Sequence, residues 1–572
     1  MPRAKADDAS PRYQFVGGAA LKGRTGGIRS HMIRRALSER TKERREIQKR
    51  AATSIRPPDH LICDVCRLSC VGPTSREQPA RYYRPLQPKT GQAGKVLPAP
   101  CQICGGRLAA VRLHLHTLLS GNRDPFLPFY ADLAGIEVQE IFHFAAAHIW
   151  PSLRPLDYSS DCYQGWTFMW EDKLRVYGML WSAAFSRDML RLAHGPPGRE
   201  VDSREQLHLR ALTIKYLREE VANIDWVVAP DGLVLSTLFL AMNVAQPIAA
   251  SEAPSPFCPP FTKLHSLDAY GSRQFNPMHW RILHNIIRRF GGVSSLNMFA
   301  LGFILSIADL MHAVNSLEKP VYPALGAYGQ VLDLQPPLSL FPMDPPSKAG
   351  LGFLALGSLS PPINQAVVNV FADIGQYSRV IQHFSTDACG PEVLDLLGDS
   401  RNQVHNRLFS LPDEKDDLRA VIECSRGHSA AQIALSQEIY LFVRLSVIIY
   451  AIHVSFPIPH SGRLRDHLLI VLRPQFPRLI DRVPEPLMLW CLVVAIISSG
   501  DAPPAQLLGF AARLCLRLKL DSKEGLLRLL GSFAWVETAV PDTAAFWTLV
   551  GNLFAQADRK PALIILPRPP TT

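Results

Sequence analysis

Beyond about residue 120, apolar positions recur mostly at three-and-four spacing, the pattern of amphipathic helices. Val138, Ile141, Phe142, Ala145 and Ile149 share one helical face, and the stripe stops at Pro151. Leu174, Tyr177, Trp181, Ala184 and Phe185 repeat that geometry, as do Leu207, Ala211, Ile214, Leu217 and Val221. Trp280, Leu283, Ile287 and Phe290 form a stripe ending at Gly291-Gly292, where glycine can take the left-handed conformation that closes a helix. Another stripe, Leu507, Phe510, Ala511, Leu514 and Leu518, follows Pro503-Pro504. Asp521 with Glu524 predicts a capping box for the next helix, and Thr543 predicts a cap for one carrying Phe546, Trp547 and Val550. Convincing alternating strands are rare, and hairpin dipeptides flanked by alternation are missing. The pattern therefore predicts an all-α fold, a large irregular helical domain without the fixed-period repeat of a regular solenoid.

Two apolar runs, Gly232 to Ala250 and Leu487 to Ile497, raise the question of a membrane. The second is too short to span a bilayer and the first carries Asn243, Gln246 and Pro247, so both are expected to be buried core helices and no membrane partner is expected. Two Pro-rich stretches, Ser251 to Pro277 and Lys319 to Pro362, exceed an ordinary helix connection and predict either partner-binding loops or disorder.

With 47% hydrophobic and 19% charged residues in 572, most of the chain must fold. Its net charge of +11 is unevenly placed: Met1 to His60 holds 15 basic and 6 acidic residues, hence +9, leaving +2 for everything after. These boundaries divide the chain into a basic arm at 1–60, mostly disordered with a short helix; a Pro-rich linker with CxxC pairs at 61–122; a helical domain at 123–555; and a disordered tail at 556–572. The polar N-terminus lacks an apolar signal segment, so a reducing compartment and free thiols are expected.

Within the arm, Arg29, Arg34, Arg35, Arg40, Lys42, Arg44 and Arg45 crowd together beside His31. Guanidinium forks suit phosphate, and each neutralised phosphate releases counterions, so contact with DNA is the natural physical reading. The same cluster also fits an import receptor, or a solvated helix laced by pairs such as Lys42 with Glu46. Only Ile47 continues the apolar side set by Ile28, Met32, Ile33, Ala36 and Leu37, which is too little for a zipper.

Cys63, Cys66, Cys101 and Cys104 form two CxxC pairs able to close a tetrahedral thiolate zinc site. The 34 residues between the pairs exceed the usual ribbon spacing, so independent thiols in a linker are the competing reading. His114 and His116 lie close enough in sequence to complete a site. Asp413, Glu414, Asp416 and Asp417 could hold Mg²⁺, but their place after Pro412 predicts acids complementing a helix start. Trp166, Trp170 and Trp535 are expected to anchor the core. No phosphate loop, dinucleotide fingerprint, HExxH, nucleophile elbow or kinase signature is present, so no catalytic residue is assigned and no enzyme is expected.

The order of several motifs resembles fungal-specific transcription-factor-like proteins, some of which carry a "tachykinin family" label. These are "IRSHMIRRALSERTKERRE" in the arm, a CxxC pair, "LLSGNRDPF", "HLRALTIKYLREEV" with "DGLVLSTLFLAMN", "HWRILHNIIRRFGGV", "ADLMHAVNSLEKP" and "PEPLMLWCLVVAI". The resemblance runs from about Gln14 to Asn552 and implies a nuclear, fungal protein with a helical regulatory domain; the helical body is expected to bind an effector or other transcription proteins. The chain departs from the zinc-cluster members of that group in lacking their six-cysteine DNA-binding module.

Overall fold

The computed structural model describes the strand segments 60–63, 69–71 and 108–110, and most of residues 132–541 together with Trp547. The longer breaks in the second region fall at 155–171, 195–202, 225–230 and 245–254. The chain forms two compact units, one of residues 1–76 and 97–111, the other of 77–96 and 112–572.

In the first unit β1 (His60–Cys63), β2 (Ser69–Val71) and β3 (Leu108–Ala110) form an antiparallel sheet of order β2-β1-β3. Leu61 pairs with Cys70 on one side of β1, and Cys63 pairs with Leu108 on the other. The stretch expected to be a plain linker thus contains a small sheet, with strands too short to show as alternation in sequence.

The second unit is all-α, irregular and built on one apolar core. Its principal helices are α1 (Val138–Phe144), α2 (Lys173–His194), α3 (Arg204–Ala222), α4 (Asp231–Met242), α5 (Pro277–Arg289), α6 (Leu301–Ser316), α7 (Gln365–Phe384), α8 (Pro391–Ser410), α9 (Ala430–Tyr450), α10 (Gly462–Leu472), α11 (Glu485–Ser498), α12 (Ala505–Arg517) and α13 (Lys523–Leu530). α2 packs against α1, α3 and α4; α5 packs on α4; α8 packs on α6 and α7; α11 packs between α9 and α12.

The stripes on α2, α5 and α12 do what their spacing predicts. Leu174, Tyr177, Trp181, Ala184 and Phe185 are buried, as are Trp280, Leu283 and Ile287, and Leu507, Phe510, Ala511 and Leu514. Gly291 and Gly292, both with φ above 90°, close α5. The α1 stripe does not stop at Pro151: it runs on through a π turn at Ala145–Ile149 into a helical turn at Trp150–Leu153, since proline is tolerated in a first turn. α13 is capped by Ser522, whose hydroxyl takes the Gly525 N–H, one residue later than the predicted Asp521. Thr543 lies outside the described residues.

α3 turns a different face inward from the one expected. Gln206, Leu209 and Thr213 are buried, whereas Leu207 and Val221 are 44% and 37% exposed. Thr213 can sit inside because its hydroxyl donates back to the Leu209 carbonyl.

Both apolar runs are core helices where they are described: every residue of α4 from Gly232 to Met242 and of α11 from Leu487 to Ser498 is buried. Trp490 in α11 donates its indole N–H to the Ala534 carbonyl at 2.8 Å and packs edge-on against Phe353 at 5.2 Å. Among the described residues one helix, Ala430–Ser455, is long and apolar enough to cross a membrane, and 78% of its most apolar window is buried inside the protein. The Pro-rich stretches are also packed inward. Phe257, Leu264 and Leu267 are buried in the first, and Leu325, Leu334, Phe341, Phe353 and Leu356 in the second. Their proline content makes them irregular, but their spaced large apolar residues make them part of the core.

Candidate functional site

α8 is the most unusual element for its position. Asp395, Asp399, Arg401, Asn402, Gln403 and His405 lie along it, each no more than 4% exposed. Buried polar groups persist where they are hydrogen-bonded, and each of these has at least one partner. Asp395 and Asp399, one turn apart, receive the Arg154 guanidinium at 2.6 and 2.5 Å. Gln403 closes two hydrogen bonds with the Leu334 backbone, accepting at 2.7 Å and donating at 2.9 Å. His405 donates from Nδ1 to the Arg401 carbonyl and accepts at Nε2 from the Ser455 hydroxyl, an arrangement for a neutral ring. Burial pushes its pKa down to about 3.

Gly398, Arg401 and Asn402, at i, i+3 and i+4 on one face of α8, hold a turn at Leu264–Ser266. Arg401 Nη2 donates to the Leu264 carbonyl at 2.8 Å, and Asn402 Nδ2 donates to His265 Nδ1 at 3.1 Å. Gly398 makes room: a Cβ there would lie 2.3 Å from His265 Cε1 and Nε2. His265 and Ser266 both adopt left-handed backbone, at φ 57° and 55°, which costs roughly 1–3 kcal/mol each for residues with a Cβ. The α8 contacts supply the surroundings that keep this strained turn in place.

The chemistry of His265 follows from those contacts. An amide N–H only donates, so Nδ1 is the acceptor and the proton of the neutral ring sits on Nε2. Burial, then the Arg401 and Arg154 charges, hold the ring's pKa well below its ordinary value, so it stays neutral at physiological pH. Among the described residues Nε2 has no partner, although the ring is fully buried. An N–H in that position is a donor waiting for an acceptor.

The same ring lines a cavity of about 50 Å³, walled by Trp150, Met179, Phe239, Ile304 and Met311. Two other polar side chains reach it, and both are engaged: Ser182 Oγ accepts from Asn243, and the Tyr270 hydroxyl bonds Ser186 at 2.6 Å. An apolar wall beside a ring with an unpaired N–H suits a small apolar molecule. If Nε2 faces the cavity, the chain binds cyclopentanone better than methylcyclopentane. His265→Asn keeps a residue that tolerates left-handed backbone while removing the ring, and should abolish that difference. Gly398→Ala, which pushes the ring aside, should weaken ketone binding and cost about 1–3 kcal/mol of stability. Isothermal titration and chemical denaturation test both; equal affinity for ketone and hydrocarbon would remove His265 from the site.

The residues singled out in the sequence fall elsewhere. Arg29, His31, Arg34, Arg35, Arg40, Lys42, Arg44 and Arg45 lie outside the described residues, as do Cys66, Cys101, Cys104, His114, His116, Trp166 and Trp170. Cys63 is the last residue of β1. Trp535 is buried, as expected of a core anchor. The acidic run after Pro412 organises turns: Asp416 takes the Lys319 ammonium and the Asp413 N–H, and Asp417 caps a short 3₁₀ turn, not an α-helix. Among the described residues no group of three or more His, Cys, Asp or Glu is placed to hold a metal. His265 was not legible in the sequence, where it stands in a Pro-rich stretch without periodicity. The one available signal was "GDSRNQVH", a charged run inside an otherwise apolar helical region.

No protein-family model, curated protein or solved structure matches this chain.

Proposed function

We propose that this chain is a non-catalytic nuclear transcriptional regulator of the fungal kind that its motifs resemble. The basic arm serves nuclear import and contacts DNA phosphates, while the helical body receives a small apolar effector or another transcription protein. The observation that carries this reading is the division of charge, +9 in residues 1–60 and +2 in the other 512. A cationic segment attached to a nearly neutral body concentrates its field in one place, which suits a polyanion contact that leaves the body free to recognise something else. The cavity beside His265 supports the second half, since it gives the body a place for an effector within its folded core.

Genome-wide occupancy of the tagged chain in a fungal host tests the proposal, and enrichment at discrete loci is expected. Nuclear location without any enriched locus would overturn DNA contact and leave a nuclear interaction module instead.

A further inference from the structure

We infer that Arg273 anchors a surface site for the carboxylate of a small organic acid. The inference rests on how this one guanidinium is held and on the partner it lacks, and it stands whether or not the regulatory reading holds.

Other arginines drawn into the helical unit have acids beside them. Arg154 meets Asp395 and Asp399, Arg175 reaches Asp172 at 3.0 Å, and Arg187 takes Glu205. Arg273 is held by uncharged groups instead. Its Nε–H donates to the Ala269 carbonyl at 2.9 Å, and its guanidinium carbon lies 4.8 Å from the ring centres of both Phe185 and Tyr270. Nη1 is buried without a hydrogen bond, while Nη2, equally unbonded, reaches the surface of this half-buried residue. Burial lowers the Arg273 pKa and only the Tyr270 hydroxyl opposes it, so no acidic side chain compensates the charge. Arg401 lacks an acid too, but at 1% exposure it is closed to any solute.

The site is fixed before a ligand arrives. Gly271 donates to the Leu267 carbonyl at 2.8 Å and Arg273 donates to the Tyr270 carbonyl at 3.2 Å, so the chain turns tightly just before the arginine. Gly271 is needed there, because a Cβ would lie 2.5 Å from the Leu267 carbonyl oxygen. Asn315 of α6 holds the Gly271 carbonyl, and Ser186 of α2 holds the Tyr270 hydroxyl. A cation already ordered by its surroundings loses little freedom on binding.

Aromatic faces offset part of the cost of drawing a guanidinium out of water, but they leave its N–H groups without acceptors. A carboxylate accepting from Nη2 supplies the missing charge, with its second oxygen on the Nη1 side of the fork that the two planar groups share. The surroundings suit a small acid better than a protein partner: among the described residues, none of the large apolar side chains left exposed falls between Ser255 and Asn276. The partly exposed Tyr270 ring favours an acid with an aromatic body.

Isothermal titration of the full-length chain with sodium benzoate should show saturable binding, and benzamide, its neutral isostere, should bind at least about tenfold more weakly. Benzoate should also raise the thermal midpoint followed by circular dichroism, because the site exists only in the folded unit. Arg273→Gln should abolish both effects. Arg273→Lys keeps the charge but not the fork and should weaken binding by about tenfold, and it carries the test if the glutamine variant does not fold. Equal affinity for benzoate and benzamide, no binding of benzoate by the wild type, or binding unchanged in a folded Arg273 variant would overturn the assignment. Displacement of benzoate by an equal concentration of inorganic phosphate would overturn the carboxylate class.

Discussion

Replacing Arg34, Arg35, Arg44 and Arg45 with glutamine should weaken binding to duplex DNA by about three orders of magnitude at low salt. Four charge-assisted phosphate contacts at roughly 1 kcal/mol each supply a loss of that size. The slope of log affinity against log salt should become shallower by about 3 to 4, because each contact removed is a counterion no longer released. Sequence preference should not change, since phosphate contacts position a protein without reading bases. Electrophoretic mobility shifts across a salt series measure both quantities. An unaltered slope would show that the polyanion contact lies elsewhere.

A second large effect is expected in the helical unit. Arg154→Met removes the cation between Asp395 and Asp399, leaving two carboxylates in a site where Arg154 itself is only 4% exposed. Breaking one side of a buried ion pair typically costs about 3–5 kcal/mol, because the remaining charge keeps its desolvation penalty and loses its partner. Burial already raises the Asp399 pKa, opposed by Arg154, so losing the arginine raises it further. A carboxyl whose folded pKa exceeds its unfolded value binds protons preferentially when folded, so the contribution is present in acid and lost as pH rises through the folded pKa. The stability deficit of Arg154→Met should accordingly be greatest at neutral pH and shrink on acidification. Adding Asp395→Asn and Asp399→Asn should recover much of it, because the uncompensated charges are then gone. Denaturant midpoints across pH test this; a deficit independent of pH would assign the loss to packing alone.

The helices legible in the sequence were those whose apolar stripe meets the core directly. In α2, α5 and α12 periodicity and burial coincide, and α5 is also marked at its ends by the Asn276 cap and by Gly291-Gly292. α3 was misread in its facing because Thr213 can satisfy its own hydroxyl and Gln206 is also buried, while Leu207 remains outside. α8 shows the broader difficulty. Its charges are paired across about 240 positions of chain, Arg154 with Asp395 and Asp399, and a local pattern carries no trace of such a partner. The cavity belongs to the same class, since its walls come from turns and helices scattered between Ala145 and Met311.

The inward packing of the Pro-rich stretches decides how this molecule can be taken apart. Phe257, Phe341 and Phe353 lie in segments that a boundary chosen by composition would discard or sever. Fragments ending near residue 260 or 340 would bare those rings to solvent and present sticky, misfolded bait. Dissection of the chain into working pieces should keep the helical stretch from residue 112 onward whole instead.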